Sequence, residues 1–208
     1  IKPVERLGQL DARGVSAARA QYWREVGAWL SPGPGQRLVD KYPLYLTRLP
    51  YVARLFPRAS VIVLLRHPFD CVLSCYMQDF GLLGGATSFA TLDSAAETYA
   101  AVMAHWERQK ALTQLDTLVL RYEDMVADFD GMLARTLQFL DLAWDPAVGS
   151  YRSVRSEQGS RIRTPSYHQV TEPIHNRAIE RWRRYEGHFS PRARAVLAPF
   201  VERYGYTL

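Results

Sequence analysis

Arg66 and Ser74 are the pair of side chains in this sequence best suited to chemistry on an anion. They stand eight positions apart in residues 59–80, ASVIVLLRHPFDCVLSCYMQDF. Positions 61–65 form an unbroken apolar run rich in β-branched types, which suits a parallel strand covered on both faces. His67 and Pro68 break the run, and the fixed φ of Pro68 suits the first turn of a helix. That helix is expected to run through Val72, Leu73 and Tyr76 and to end near Phe80. A strand-to-helix turn directs free backbone N–H groups and the positive end of the helix dipole outward, which favours an anion. Arg66 closes the strand, at the end where open α/β sheets bind ligands. Ser74 follows about two helical turns later and shares a face with the helix start. An arginine fork can grip a phosphate through two parallel hydrogen bonds, and a serine hydroxyl adds a further donor. The competing role for Arg66 is a salt bridge to Asp70 or another acid.

Two more residues have reactive potential on the same reading. Lys41 ends a short expected strand at positions 37–40, and the following Tyr42 and Pro43 make a turn that would fix its direction. His168 is the most attractive local base, because histidine titrates near neutrality. Cys71 and Cys75, the only cysteines, stand four apart on the expected helix and project in parallel. Two thiols make no disulfide framework, and packing as small reduced hydrophobes is their expected role. They are too few for a metal site.

The elements that must position these residues follow from periodicity. Positions 15–30 carry apolar residues at helical spacing and give an amphipathic helix. SPGPGQ at 31–36 stops it. Positions 44–55 read as helical, with Pro50 starting a new turn or a kink. Positions 81–91, rich in Gly, Ala and Thr, read as a loop placed to act as a substrate lid. Helix is expected at 92–109, strand at 117–121, helix at 132–140, loop at 147–163 and a terminal helix at 191–204. Glu123 and Asp124 are expected to cap or pair locally. Strands alternating with helices argue for an α/β fold with a parallel sheet.

Bulk properties agree. The 208 residues fit one domain, or most of one, and 48% of them are hydrophobic, enough for a core. No run of 18 apolar residues exists, so no membrane span is expected. The net charge is +5, with arginines at 152, 155, 161, 163, 177, 181, 183 and 184 around the segment SYHQV. Such a cluster suits a solvated surface or an anion-binding mouth. No nucleic-acid-binding pattern is present, so no nucleic-acid partner is expected.

Four blocks, in order, resemble one family. They are DKYPLYLTRLPYVARLFPRA (40–59), the 59–80 stretch, LVLRYEDMVAD (118–128), and SYHQVTEPI with RAIERWRRYE (166–186). They resemble sulfotransferases that use PAPS (3′-phosphoadenosine 5′-phosphosulfate), and most of all the bacterial branch often fused to TPR repeats and related to protein-tyrosine sulfotransferases. The resemblance implies a P-loop-like sulfotransferase fold, a parallel sheet flanked by helices, in a single domain over 1–208. It implies PAPS as co-substrate, PAP as product and no metal. The family's 5′-phosphosulfate loop, roughly PxSGTT, has no counterpart here, and neither does G-x-x-x-x-G-K-[ST]. The expectation is that this chain is the larger C-terminal part of a longer protein, with the first strand, the 5′ loop and TPR repeats possible upstream.

Sulfuryl transfer builds negative charge on the sulfuryl oxygens and on the bridging oxygen of the leaving group, so it needs cations, N–H donors and a base. By resemblance, Lys41 contacts the leaving phosphosulfate, and Arg66, Ser74 and Arg181 hold the 3′-phosphate. Tyr122 stands beside the adenine or its phosphate, and Ser166 lies against the phosphosulfate. Gln78 takes the place of an arginine in the tyrosine-sulfating relatives, and Glu172 that of a lysine, so an identical substrate is in question. Those relatives draw their base from an upstream glutamate, which puts the base either off this chain or on His168. The acceptor stays open between a protein tyrosine and a small-molecule alcohol, sugar or amine. The alternatives are a PAP- or nucleotide-binding module without transfer activity and an ATP-dependent kinase of related topology. Few cysteines and the bacterial character of the branch lean to a bacterial cytoplasm.

Overall fold

Strand β1 (Val61–Leu65) pairs with β2 (Thr117–Arg121) in a parallel two-stranded sheet. The structure is a computed structural model that describes residues 3–78, 86–149 and 174–208. Besides these strands the chain forms helices α1 (Pro3–Gly8), α2 (Ala12–Gly27), α3 (Leu49–Leu55), α4 (Pro68–Tyr76), α5 (Leu92–Thr113), α6 (Tyr122–Ala127), α7 (Phe129–Phe139), α8 (Pro146–Gly149) and α9 (Pro191–Arg203). Short 3-10 segments lie at Pro43–Thr47, Ala86–Phe89 and Arg181–His188. The architecture is α/β, as the alternation of strand and helix patterns required.

The chain divides into two compact units. One comprises Ile1–Val61 and Val102–Asp116. In it, the Asp11 carboxylate caps α2 by accepting from the Gly14 N–H at 2.7 Å. The rings of Tyr22 and Phe56 meet edge to face at 5.0 Å, and Trp23 joins them. The Arg19 side chain donates to the carbonyl of Leu55, tying α2 to the end of α3. Pro50 opens α3 rather than kinking a longer helix, since a ring without an N–H costs nothing in the first turn. Positions 37–40 form no strand. An extended segment becomes a strand only with a ladder partner, and a local pattern cannot supply one.

The second unit, Ile62–Ala101 and Thr117–Leu208, holds the sheet and the larger apolar cluster. Phe69, Val72 and Leu73 of α4 pack with Ala95 and Ala96 of α5, Trp182 and Phe189, and Ala193, Leu197 and Val201 of α9. The Ser190 hydroxyl caps α9 by accepting from the Ala193 N–H at 3.0 Å and donates to the Asp93 carboxylate at 2.5 Å. β1 departs from expectation. Val63 and Leu65 are buried, but Ile62 and Leu64 are 43% and 50% exposed, so one face is open among the described residues. Helix α4 also stops at Tyr76, a turn short of Phe80.

Candidate functional site

The site is built where β1 hands over to α4. His67 caps the helix: the Phe69 N–H donates to its Nδ1 at 3.3 Å, and Pro68 occupies the first turn. The ring's Nε2 donates to the Thr207 carbonyl at 3.0 Å, so the proton sits on that nitrogen. The backbone N–H of His67 donates to Glu123 Oε1 at 2.9 Å, and the Tyr206 hydroxyl donates to Glu123 Oε2 at 2.8 Å. Glu123 therefore binds partners far away in sequence, which corrects the expectation of local pairing. Asp124 does pair locally, with Arg121 at 4.0 Å. Burial, reinforced by the Glu123 carboxylate, raises the Tyr206 pKa above its ordinary value.

Arg66 leaves β1 at the base of this turn. Its Nη2 donates to the Ala178 carbonyl at 2.6 Å, and its guanidinium lies 5.4 Å from the centre of the Tyr122 ring. The Tyr122 hydroxyl donates to the His175 carbonyl at 3.4 Å. Arg66, Tyr122 and the backbone at 175–178 are thus brought together. The Arg66 Nε is buried with no hydrogen-bond partner among the described residues. Ser74 is half-buried on α4, and its hydroxyl has no partner among the described residues. Gln78 lies just past the helix end, where its N–H donates to the Cys75 carbonyl. Arg181 opens the 3-10 segment Arg181–His188 and is exposed, with its guanidinium 6.0 Å from the centre of the Tyr185 ring.

Lys41 belongs to the first unit. It is exposed and makes no ion pair or hydrogen bond among the described residues. Its neighbour Asp40 is held firmly: the hydroxyls of Tyr22 and Tyr45 donate to Asp40 Oδ2 at 3.0 and 2.8 Å. Burial, the hydrogen bond to Asp40 and its charge together push the Tyr22 pKa up to about 12. Ser166, His168 and residues 81–85 of the expected 81–91 loop lie outside the described residues, and the rest of that loop includes the 3-10 segment Ala86–Phe89.

Asp70 went unrecognised in the sequence except as a possible partner for Arg66. It is 1% exposed, and its Oδ1 accepts the Trp182 N–H at 2.8 Å. Burial pushes its carboxyl above the ordinary carboxylate range, while the Trp182 N–H and the charge of Arg66 act the other way. The available signal was an acid in the first turn of a helix, where the dipole favours a negative charge. Cys71 and Cys75 are free thiols joined by a hydrogen bond, which raises the pKa of Cys71 and lowers that of Cys75. A cavity of about 490 Å³ is lined by Leu73, Tyr76, Met77, Leu92, Asp93 and Tyr185 among others. None of Arg66, Ser74, Tyr122 or Arg181 lines it, so it is not where the phosphate-binding candidates converge.

These residues set several hydrogen-bond donors close together in the chain. One guanidinium at a strand end has an uncommitted N–H, a helix N-terminus follows it, and a serine hydroxyl stands two turns on. Residues 10–146 match the model of the sulfotransferase family. The chain belongs to that family. Among curated sulfotransferase relatives, it is 26% identical to protein-tyrosine sulfotransferase 1 of Danio rerio over 83% of this chain and 49% of that protein. It is 28% identical to the nodulation protein NoeE of Sinorhizobium fredii over 88% of this chain and 46% of that protein. An uncharacterised Aquifex aeolicus protein is 28% identical over 90% of this chain and 24% of its own length. The chain therefore spans about a quarter to a half of the curated relatives it matches. Among solved structures, the sulfotransferase domain from the curacin biosynthetic pathway superposes with a TM-score of 0.63, covering 98% of this chain and 77% of that one at 20% identity. That likeness establishes the sulfotransferase fold.

Proposed function

We propose that the protein moves a sulfuryl group from PAPS to a hydroxyl or amine acceptor, and that this chain supplies the grip on the PAP portion. The observation that carries the reading is Arg66, poised at the end of β1 with a buried, uncommitted Nε, and with Ser74 unpartnered on the helix that follows. Buried donors are normally satisfied, so a free guanidinium N–H beside a helix N-terminus marks a place for an anion. Tyr122, stacked near Arg66, offers a ring face to the base or ribose.

In the transfer, the acceptor oxygen or nitrogen attacks sulfur and a new bond to sulfur forms. The bond from sulfur to the bridging oxygen breaks, and its electron pair leaves on the 5′-phosphate of PAP. Lys41 meets the negative charge on that oxygen, an electrostatic role for which a free ammonium is suited. Arg66, Ser74 and Arg181 hold the 3′-phosphate, and Tyr122 and Gln78 lie in the same binding region. Ser166 supplies a hydroxyl to the phosphosulfate. The acceptor proton goes to a base, for which His168 is this chain's own candidate.

Sulfotransferase relatives named for protein tyrosine make a tyrosine side chain the first acceptor to try, with small alcohols and amines beside it. The test uses the full-length protein and PAPS carrying radioactive sulfur, offered to tyrosine peptides and to a panel of small acceptors. Label on any acceptor supports transfer. PAP binding with no labelled product across the panel would favour a nucleotide-binding module instead.

A further inference from the structure

The proposed 3′-phosphate ligands come from two places in the chain, Arg66 and Ser74 around β1 and α4, and Arg181 more than a hundred residues later. Two hydrogen bonds join these places, and both start from the same short stretch. Arg66 Nη2 reaches the Ala178 carbonyl at 2.6 Å, and Asp70 Oδ1 receives the Trp182 N–H at 2.8 Å. The partners are four residues apart on each side, so residues 178–182 are held at both ends by residues 66–70. The Trp182 ring, 1% exposed, stacks on His67 at 5.3 Å and 16°, and lies 4.7 Å from Phe69. Between the two ties, Glu180 adopts a left-handed backbone with φ of 52°. A non-glycine residue keeps that conformation only where its surroundings enforce it, and such residues gather at ligand sites. Arg181 follows directly and is exposed, while its neighbour Trp182 is buried.

A fully buried carboxylate is costly, and a neutral amide could accept the same N–H. Asp70 sits instead in the first turn of α4, close enough to Arg66 for their charges to interact. Its second oxygen makes no hydrogen bond among the described residues. We propose that Asp70 is a positioning residue of the nucleotide site: it fixes the backbone of Arg181 and Trp182, so that Arg181 meets the same ribose phosphate as Arg66 and Ser74. The inference rests on the PAP-binding reading above. It assigns to Asp70 the selectivity for a nucleotide with a second phosphate on the ribose.

The test compares two ligands on the full-length protein by calorimetry: PAP, and 5′-AMP, which lacks the 3′-phosphate. In Asp70→Ala the affinity for PAP should fall about tenfold, the equivalent of one charged hydrogen bond, while that for 5′-AMP stays within about twofold. Asp70→Asn, which keeps an acceptor but not the charge, should fall between wild type and alanine. In an Arg181→Ala background, Asp70→Ala should cost PAP binding nothing more. A merely structural role would weaken both ligands alike and would add to Arg181→Ala. PAP binding by wild type with an unchanged PAP to AMP ratio in Asp70→Ala overturns this inference alone. Failure of the wild-type protein to bind PAP overturns it together with the reading on which it rests. If the alanine variant does not fold, the asparagine variant decides, and a ratio equal to wild type overturns the inference.

Discussion

Glu123 should be one of the most sensitive positions in the chain, although it is neither fully buried nor a proposed ligand. Its two oxygens accept from the His67 N–H at 2.9 Å and from the Tyr206 hydroxyl at 2.8 Å. Hydrogen bonds to a charged acceptor contribute about 1.5–3 kcal/mol each. The carboxylate is half-buried, so the lower end of that range applies, and the two bonds together come to about 3 kcal/mol. Tyr206→Phe removes only one of them and should cost about 1.5 kcal/mol. Adding Tyr206→Phe to Glu123→Ala should cost much less than it does alone, leaving a coupling of about 1 kcal/mol, as expected for groups in direct contact. The assay is urea unfolding of the four proteins of the cycle, with the slope checked for constancy. Because His67 follows Arg66 directly, Glu123→Ala should also loosen the turn and weaken PAP binding. A Glu123→Ala protein within about 0.5 kcal/mol of wild type, the range of an ordinary surface substitution, would refute the view that this carboxylate anchors the turn.

Tyr22 titrates near pH 12, above its ordinary 10.0, because burial and Asp40 disfavour the phenolate. Between those two values the unfolded chain loses the proton first, so stability should fall as pH rises from 10 towards 12; alkaline unfolding of Tyr22→Phe should show a shallower decline. Lys41 is exposed and unpaired among the described residues, so Lys41→Ala should change stability by less than about 0.5 kcal/mol. Its kcat for transfer should nonetheless fall about 100-fold or more, as for loss of a group that stabilises transition-state charge. A stable variant with wild-type turnover would remove Lys41 from the mechanism. Trp182→Ala should cost about 3–5 kcal/mol in thermal or urea unfolding, because it empties the space between His67 and Phe69. A smaller loss would mean that the cluster collapses to fill the gap.

The β1 to α4 unit was legible because everything that makes it is contiguous. An apolar run, an arginine, a proline at the first helical turn and a serine two turns on need no distant partner to be understood. α5 and β2 were legible for the same reason. Positions 37–40 misled because an extended segment becomes a strand only through a neighbour it pairs with. β1 misled in part: five apolar residues in a row imply cover on both faces, yet Ile62 and Leu64 face outward. Glu123 and Asp70 show the other limit. Their partners lie 56, 83 and 112 residues away, and no local spacing carries that information. Arg181 came from family likeness, not from pattern. Its place between two ties to the 66–70 stretch is visible only in three dimensions.

The proposed function depends first on Arg66 gripping the phosphate of PAP. Calorimetric titration of PAP into the full-length protein, beside Arg66→Ala and Arg66→Lys, tests it most directly, with unfolding curves confirming that all three proteins fold. Loss of a buried phosphate partner should weaken binding by about 2–5 kcal/mol in the alanine variant, at least about 30-fold. Lysine, which keeps the charge but not the fork, should recover only part of it. PAP binding of equal strength in all three folded proteins, or none to wild type, would contradict the account.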